Sequence, residues 1–182
     1  RKTEKFLRIK ELLAIMKSQG NYTFCDVGCS AGLSSLIAHN VGFKNITSLD
    51  HDMEYIHTLK CITKYCGISN INAKGFSFGD KMNDNHDIVL CGAIIHWIFS
   101  LTADFRNFDS IIKYLMSFTN NILLMEWVTP DDSAIKVLDH INKRKHATDQ
   151  EYTTENFEKA VNSYGNILTK KEIDGDTRIM YV

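Results

Sequence analysis

The stretch Phe24-Cys25-Asp26-Val27-Gly28-Cys29-Ser30-Ala31-Gly32-Leu33-Ser34-Ser35 organises the chain. Tyr22 to Val27 reads as a short buried strand, followed by a tight turn of small residues and then a helix. Gly28 and Gly32 remove Cβ atoms that would hold a ligand away from the backbone, and glycine tolerates the positive φ such a turn demands. Ser30 and Ala31 are small as well. A helix opening near Gly32 aims free backbone N–H groups at the same spot, and Asp26 adds a fixed negative charge. A strand-to-helix turn that binds nothing also selects glycine, so the rest of the chain must decide.

The charge separates two classes of nucleotide ligand. A dinucleotide fingerprint needs G-x-G-x-x-G, with a pyrophosphate on the helix N-terminus. Here the spacing is Asp26-x-Gly28-x-Ser30-x-Gly32, and a carboxylate beside the turn repels pyrophosphate while suiting a ligand with a positive end. The pattern resembles motif I of the class I S-adenosylmethionine (SAM) methyltransferases, D/E-x-G-x-G-x-G, with Ser30 in place of the middle glycine. SAM carries both an ammonium and a sulfonium.

A second strand, Asn45 to Leu49, ends in Asp50-His51-Asp52. A carboxylate at the end of that strand can take both hydroxyls of a ribose, and Asp50 lies eighteen residues beyond Gly32, about where a βαβ nucleoside site wants an acid. The competing role is a helix cap, which suits Asp52. A weaker third strand spans Asn72 to Phe78 before Gly79-Asp80, and a near-continuously apolar fourth, His86 to Gly92, suits the centre of a parallel sheet.

The remaining elements follow from periodicity and punctuation. Phe6, Ile9, Leu12, Leu13 and Met16 give helical spacing over residues 3–18. Helices are expected from the turn to about Asn40, over Met53 to Cys66 and over Thr102 to Met116, with a fifth strand at Asn121 to Val128. Pro130, the only proline, stops that strand. Two more helices are expected, from Ser133 to about Lys145 and from Glu155 to Ser163, the latter capped by Thr153 or Thr154. Asn166 to Ile173, the turn Asp174-Gly175 and Thr177 to Val182 read as an antiparallel hairpin.

Composition narrows the class. At 182 residues the chain is expected to be a single domain, and its start at Arg1 without Met suggests a segment of a longer, multidomain protein. The five cysteines lack disulfide-framework spacing and C-x-x-C pairs, which fits reduced thiols in the cytoplasm and gives no zinc signal. No run is long and apolar enough to span a membrane. A formal net charge of −1 offers no footprint for a nucleic-acid backbone, so a small-molecule or glycan acceptor is favoured over nucleic acid. The one dense basic stretch, Lys143-Arg144-Lys145-His146, reads as a solvated helix face.

Alternating strands and helices predict an α/β, doubly wound, mostly parallel sheet with binding at the carboxyl ends of its strands. Seven strands with the last one antiparallel resemble the class I methyltransferase architecture over nearly the whole chain. The resemblance implies SAM contacts at Asp26, Gly28, Cys29, Ser30, Gly32, Asp50, His51, Cys91 and Gly92, with Asp80 on the adenine amino group unless it is a turn residue. Adenine- and glutamine-modifying relatives carry [N/D]-P-P-[Y/F] after strand four, where this chain has Cys91-Gly92-Ala93-Ile94. The chain also resembles the C-terminal methyltransferase domain of the multidomain proteins with which chloroviruses build capsid glycans. That resemblance implies O-methylation of a sugar hydroxyl, rhamnose in particular, in the host cytoplasm.

A sugar hydroxyl is a poor nucleophile and needs a base. His96, expected on a loop after strand four, is one candidate, with a capping or core histidine as its alternative. Glu126 is the second, as base, as orienter of His96 or as a group that binds a substrate hydroxyl. Trp97 and Trp127 are candidates for stacking on a sugar face or for the core, and Asp131 for the acceptor site. Asp131, Asp132 and His140 permit a divalent metal, but paired Asp after proline is an ordinary helix start, so a metal is not favoured. A catalytically silent binding module and an RNA methyltransferase are the alternatives from other classes.

Overall fold

The computed structural model describes residues 2–137, 150–173, 175 and 177–182. Its strands are β1 (Phe24–Val27), β2 (Ile46–Asp50), β3 (Ile71–Gly75), β4 (His86–Cys91), β5 (Thr119–Val128), β6 (Lys170–Glu172) and β7 (Arg178–Tyr181). They form a single sheet in the order β3-β2-β1-β4-β5-β7-β6. The first five are parallel, and β7 runs antiparallel to both of its neighbours. This is the expected doubly wound sheet. The returning arm of the hairpin does not lie on the edge: β7 inserts between β5 and β6.

The described helices are α1 (Lys2–Gln19), α2 (Leu33–Val41), α3 (Met53–Tyr65), α4 (Ile95–Leu101), α5 (Phe108–Met116), α6 (Ser133–Lys136) and α7 (Thr154–Tyr164). Alternation along the buried central strands feeds two cores. Phe24, Ile88 and Leu90 face Ile9 and Leu13 of α1 and Ala38 of α2. Cys25, Val27, Val89 and Cys91 face the other layer, with Phe99, Phe108, Trp127 and Phe157. Strand order reverses between β1 and β4, so the crevice beyond their carboxyl ends is the switch point at which open α/β sheets bind ligands.

Local chemistry sets the helix ends. Asp52 caps α3 by accepting from the Glu54 amide at 2.8 Å, and Thr153 caps α7 by accepting from the Asn156 amide. The helix expected over Thr102 to Met116 is shorter and starts at Phe108. Asn107 accepts from the Ser110 amide and opens it there, while Phe105 turns edge-on to Phe78 at 4.7 Å. Within the segment expected to run from Ser133 to Lys145, α6 covers Ser133–Lys136, and His140 and Lys143 to His146 lie outside the described residues, as does Asp174 of the hairpin turn. No described helix is long and apolar enough to cross a membrane.

Candidate active site

The turn after β1 takes the left-handed conformation at alternate positions: Gly28 at φ 74°, Ser30 at φ 52° and Gly32 at φ 86°. Ser30 is the one non-glycine residue with positive φ among those described. It thus adopts the backbone of the middle glycine it replaces, at a cost of roughly 1 kcal/mol. The Gly28 and Cys29 amides donate to the Leu49 carbonyl at 2.8 and 2.9 Å, and the Ser30 amide donates to Asp50 Oδ2 at 2.8 Å. The turn is therefore tied to the end of β2.

The two glycines make room for protein as well as for any ligand. A Cβ on Gly28 would stand 2.9 Å from Ile94, and one on Gly32 would stand 2.3 Å from Leu59 of α3. Gly32, left-handed at the N-cap of α2, lets that helix pack against α3 and lines neither cavity described next.

Two cavities flank the turn and share Gly28, Ser30 and Ile94 in their walls. The larger, about 570 Å³, is mostly apolar and is lined by Asp50, His51, Tyr55, Phe76, Phe78 and Trp97, among others. The smaller, about 450 Å³, lies under α1 and includes Lys5, Asp26, Cys29, Gly92, Glu126 and Arg178 in its wall.

Both cavities hold buried acids of the predicted set: Asp50 lines the larger, Asp26 and Glu126 the smaller. Asp26 is 3% exposed and accepts from Ser35 Oγ at 2.7 Å, and Ser35 Oγ in turn accepts from Ser48 Oγ. Burial pushes the Asp26 carboxyl up to about 6, against the pull of the Ser35 hydroxyl. Asp50 accepts from the Ser30 amide on one oxygen and from the Asp52 amide on the other, at 2.8 and 2.9 Å. Each of its oxygens keeps a second lone pair. His51 is largely exposed, with Nδ1 3.3 Å from Asp50 Oδ1.

Several predicted residues sit elsewhere than expected. Asp80 does not line the larger cavity: its carboxylate accepts from the Ser77 amide at 2.8 Å, and Ser77 and Phe78 take the place beside the cavity. Asp80 is a turn residue because the chain reverses there, its own amide donating back to Ser77. Cys91 packs in the core and Gly92 lines the cavity instead, because the strand's alternation turns the Cys91 side chain away. Burial pushes the Cys29 and Cys91 thiols well above their usual range, so both stay protonated.

His96 is not on a loop. It lies in α4, 5% exposed, with its ring 5.2 Å from that of Trp97, and it lines neither cavity. Trp97 is 41% exposed and does line the larger one. Trp127 is fully buried, stacked on Phe157 at 4.3 Å and Tyr152 at 4.7 Å, with Nε1 donating to Thr154. It is a core residue, because β5 is covered on both faces. Asp131 is exposed beyond the end of β5, and Asp132 caps α6. Among the described residues no group of three or more His, Cys, Asp or Glu is placed to hold a metal.

Glu126 is fully buried in the smaller cavity's wall and belongs to a charge network. Lys5 Nζ lies 2.5 Å from Oε2, Arg178 Nη1 3.2 Å from Oε1, and the Ala93 amide donates to Oε2 at 3.2 Å. Arg178 continues through Nε to Asp132 Oδ2 at 3.1 Å. Burial raises the Asp132 carboxyl, but the Ala134 amide and Arg178 outweigh it and hold the group below its usual range. Lys5 and Arg178 are functional residues that the sequence alone did not single out. The available signal was a cation on the apolar face of α1 and another opening the last strand.

No protein-family model matches the sequence, and no characterised protein matches it at the sequence level. Solved structures do match in shape. The magnesium protoporphyrin IX methyltransferase of Synechocystis PCC 6803, solved with S-adenosylhomocysteine bound, aligns at TM-score 0.71 over 98% of this chain and 83% of its own, with 15% identity. The fold is that of the class I methyltransferases. The N-methyltransferase NodS from Bradyrhizobium japonicum WM9 aligns at TM-score 0.71 and 12% identity, over 99% of this chain and 93% of its own. A ribosomal protein L11 methylase from Lactobacillus delbrueckii subsp. bulgaricus follows at TM-score 0.64 and 16% identity, covering 96% and 75%. At these identities the likeness is one of fold. Two of the three are named for different acceptors, a magnesium porphyrin and a ribosomal protein, so the class I architecture carries no acceptor with it.

Proposed function

We propose that the chain is a SAM-dependent O-methyltransferase acting on a hydroxyl of a small acceptor, with a sugar as the acceptor that best suits the site. One observation carries this: two cavities meet at the Gly28–Ser30 turn, each with a buried carboxylate suited to a different part of the donor. Asp50 can accept from both ribose hydroxyls, and the apolar walls beside Phe76, Phe78 and Trp97 suit an adenine. Asp26 suits the ammonium. The fold's likeness to a protein solved with S-adenosylhomocysteine supports the same choice.

Bound SAM supplies an electrophilic methyl on a sulfonium, which passes to the acceptor oxygen as the carbon–sulfur bond breaks and a neutral thioether leaves. The chain's own task is to orient the hydroxyl and take its proton. Glu126 is the base we favour, because it lines the cavity while His96 lies within α4 beneath Trp97. Its carboxylate binds the proton that the hydroxyl loses, and Arg178 and the Ala93 amide hold it in place. His96 then positions α4 and Trp97 at the edge of the larger cavity.

A polar wall of Lys5, Glu126 and Arg178 suits a hydroxyl-rich acceptor, and the resemblance to chlorovirus glycan-building domains points to rhamnose within a glycan. A domain of that kind would sit in a longer chain in the cytoplasm. The test is transfer of labelled methyl from SAM to a panel of free and glycosidic sugars, run with wild type and Glu126→Gln. Transfer to a sugar that falls at least about a hundredfold in the variant, with S-adenosylhomocysteine binding retained, supports the assignment. Label appearing only on RNA, or equal transfer by the variant, contradicts it.

A further inference from the structure

Lys5 stands on α1, outside the strands and turn that carry the resemblance, yet it lines the same cavity as Asp26, Gly28 and Ser30. Two described cations line that cavity, and they are held differently. Arg178 is anchored on two carboxylates, Glu126 at 3.2 Å and Asp132 at 3.1 Å. Among the described residues Lys5 has a single ion-pair partner, Glu126, with its ammonium also over the Phe6 ring at 5.4 Å, on a flexible stem with a partly exposed head. Glu126 does not depend on Lys5, since Arg178 and the Ala93 amide still hold it when Lys5 leaves. Lys5 is therefore the group in this wall that can change partners at the cost of one ion pair.

The inference rests on the proposed methyl donor. With its ribose at Asp50, the donor's amino-acid end extends past Gly28 and Ile94 into the smaller cavity, because those residues border both spaces. That end carries an ammonium and a carboxylate. Asp26 answers the first, and the second needs a cation in a cavity that already holds two buried acids. We propose that Lys5 exchanges Glu126 for the donor's carboxylate, so that donor binding frees Glu126 Oε2 to receive the acceptor hydroxyl. Lys5 is thus a donor-binding residue whose movement also imposes an order: donor first, acceptor second.

The test pairs a change in the protein with a change in the ligand. Wild type, Lys5→Met and Lys5→Arg are titrated calorimetrically with SAM and with decarboxylated SAM, which lacks only the carboxylate. Wild type is expected to bind SAM about ten- to a hundredfold more tightly than the decarboxylated ligand, the range of one charge-assisted contact. In Lys5→Met the two affinities converge, and Lys5→Arg restores much of the difference. A purely structural role for Lys5 in seating α1 would weaken both ligands alike and leave their ratio unchanged, which overturns the inference. Failure of wild type to bind either ligand overturns the donor reading itself, and this inference with it.

Discussion

Ser30 and Asp50 are joined by a 2.8 Å hydrogen bond from the Ser30 amide to the Asp50 carboxylate. The turn that opens α2 and the acid that ends β2 therefore form one unit, and Asp50 both shapes the turn and faces the larger cavity. Replacing Asp50 by Ala removes the acceptor for the Ser30 and Asp52 amides together with the proposed ribose contact. We expect S-adenosylhomocysteine affinity to fall about tenfold or more and stability by about 1–3 kcal/mol. Calorimetric titration and urea unfolding measure the two effects separately. Unaltered affinity would remove Asp50 from the donor site.

The left-handed backbone at Ser30 makes a second prediction. Ser30→Gly relieves the strain of φ 52° while adding chain entropy to the unfolded state, for a net gain of up to about 1 kcal/mol. Ser30→Val places a β-branched residue at positive φ and is expected to lose more than about 1 kcal/mol. Gly32→Ala should be worse than either on its own, because its Cβ also meets Leu59. Midpoints of urea unfolding rank the three, and equal losses for Ser30→Gly and Ser30→Val would contradict the strained turn.

Asp26 gives the fold a pH dependence. Its carboxyl is raised by burial from an ordinary value of 3.8 to about 6, so the folded state binds the proton more tightly than the unfolded state does. The stability this contributes is fully present below about pH 4 and is lost as pH rises through 6, an effect of about 3 kcal/mol at most. Asp26→Asn, which stays neutral, should therefore be more stable than wild type at pH 8, with the advantage shrinking as pH falls from 6 to 4. Donor affinity should run the opposite way in wild type, rising through pH 6 as the carboxylate ionises, and should flatten in the variant. Unfolding curves and titrations across pH 4–8 check both.

The two tryptophans should separate cleanly. Trp127→Ala empties a stacked core and is expected to cost about 3–5 kcal/mol, whereas Trp97→Ala changes stability by about 1 kcal/mol or less and weakens ligand binding. Thermal unfolding beside ligand titration tells them apart. A Trp127 variant with native stability and an altered acceptor preference would restore it to the acceptor site.

What could be read from the chain follows the range of the interactions involved. The glycine turn, the Asp50 position, the Asp52 and Thr153 caps and the alternation of strands and helices are local patterns, and each is found where the residues predicted it. Asn107 is local as well, but Phe105 continued the helical spacing and hid the cap. Trp127 could be read as a sugar platform or as a core residue, because a strand buried on both faces gives no alternation to say which way a side chain points. Asp80 could serve a turn or a ligand from its position alone. The pairing of Lys5, Arg178 and Asp132 around Glu126 depends on α1, β5, α6 and β7 meeting at one corner, and no spacing within any one of them announces it.

On the proposed function, the two cavities beside Ser30 form one site for an adenosyl methyl donor. Calorimetric titration of the chain with S-adenosylhomocysteine, with NAD as the control, tests it most directly. The expected result is one-to-one binding of S-adenosylhomocysteine with micromolar or better affinity, weakened in Asp50→Ala, and no detectable binding of NAD, whose pyrophosphate would face Asp26. Absence of S-adenosylhomocysteine binding, or preference for NAD, would contradict it.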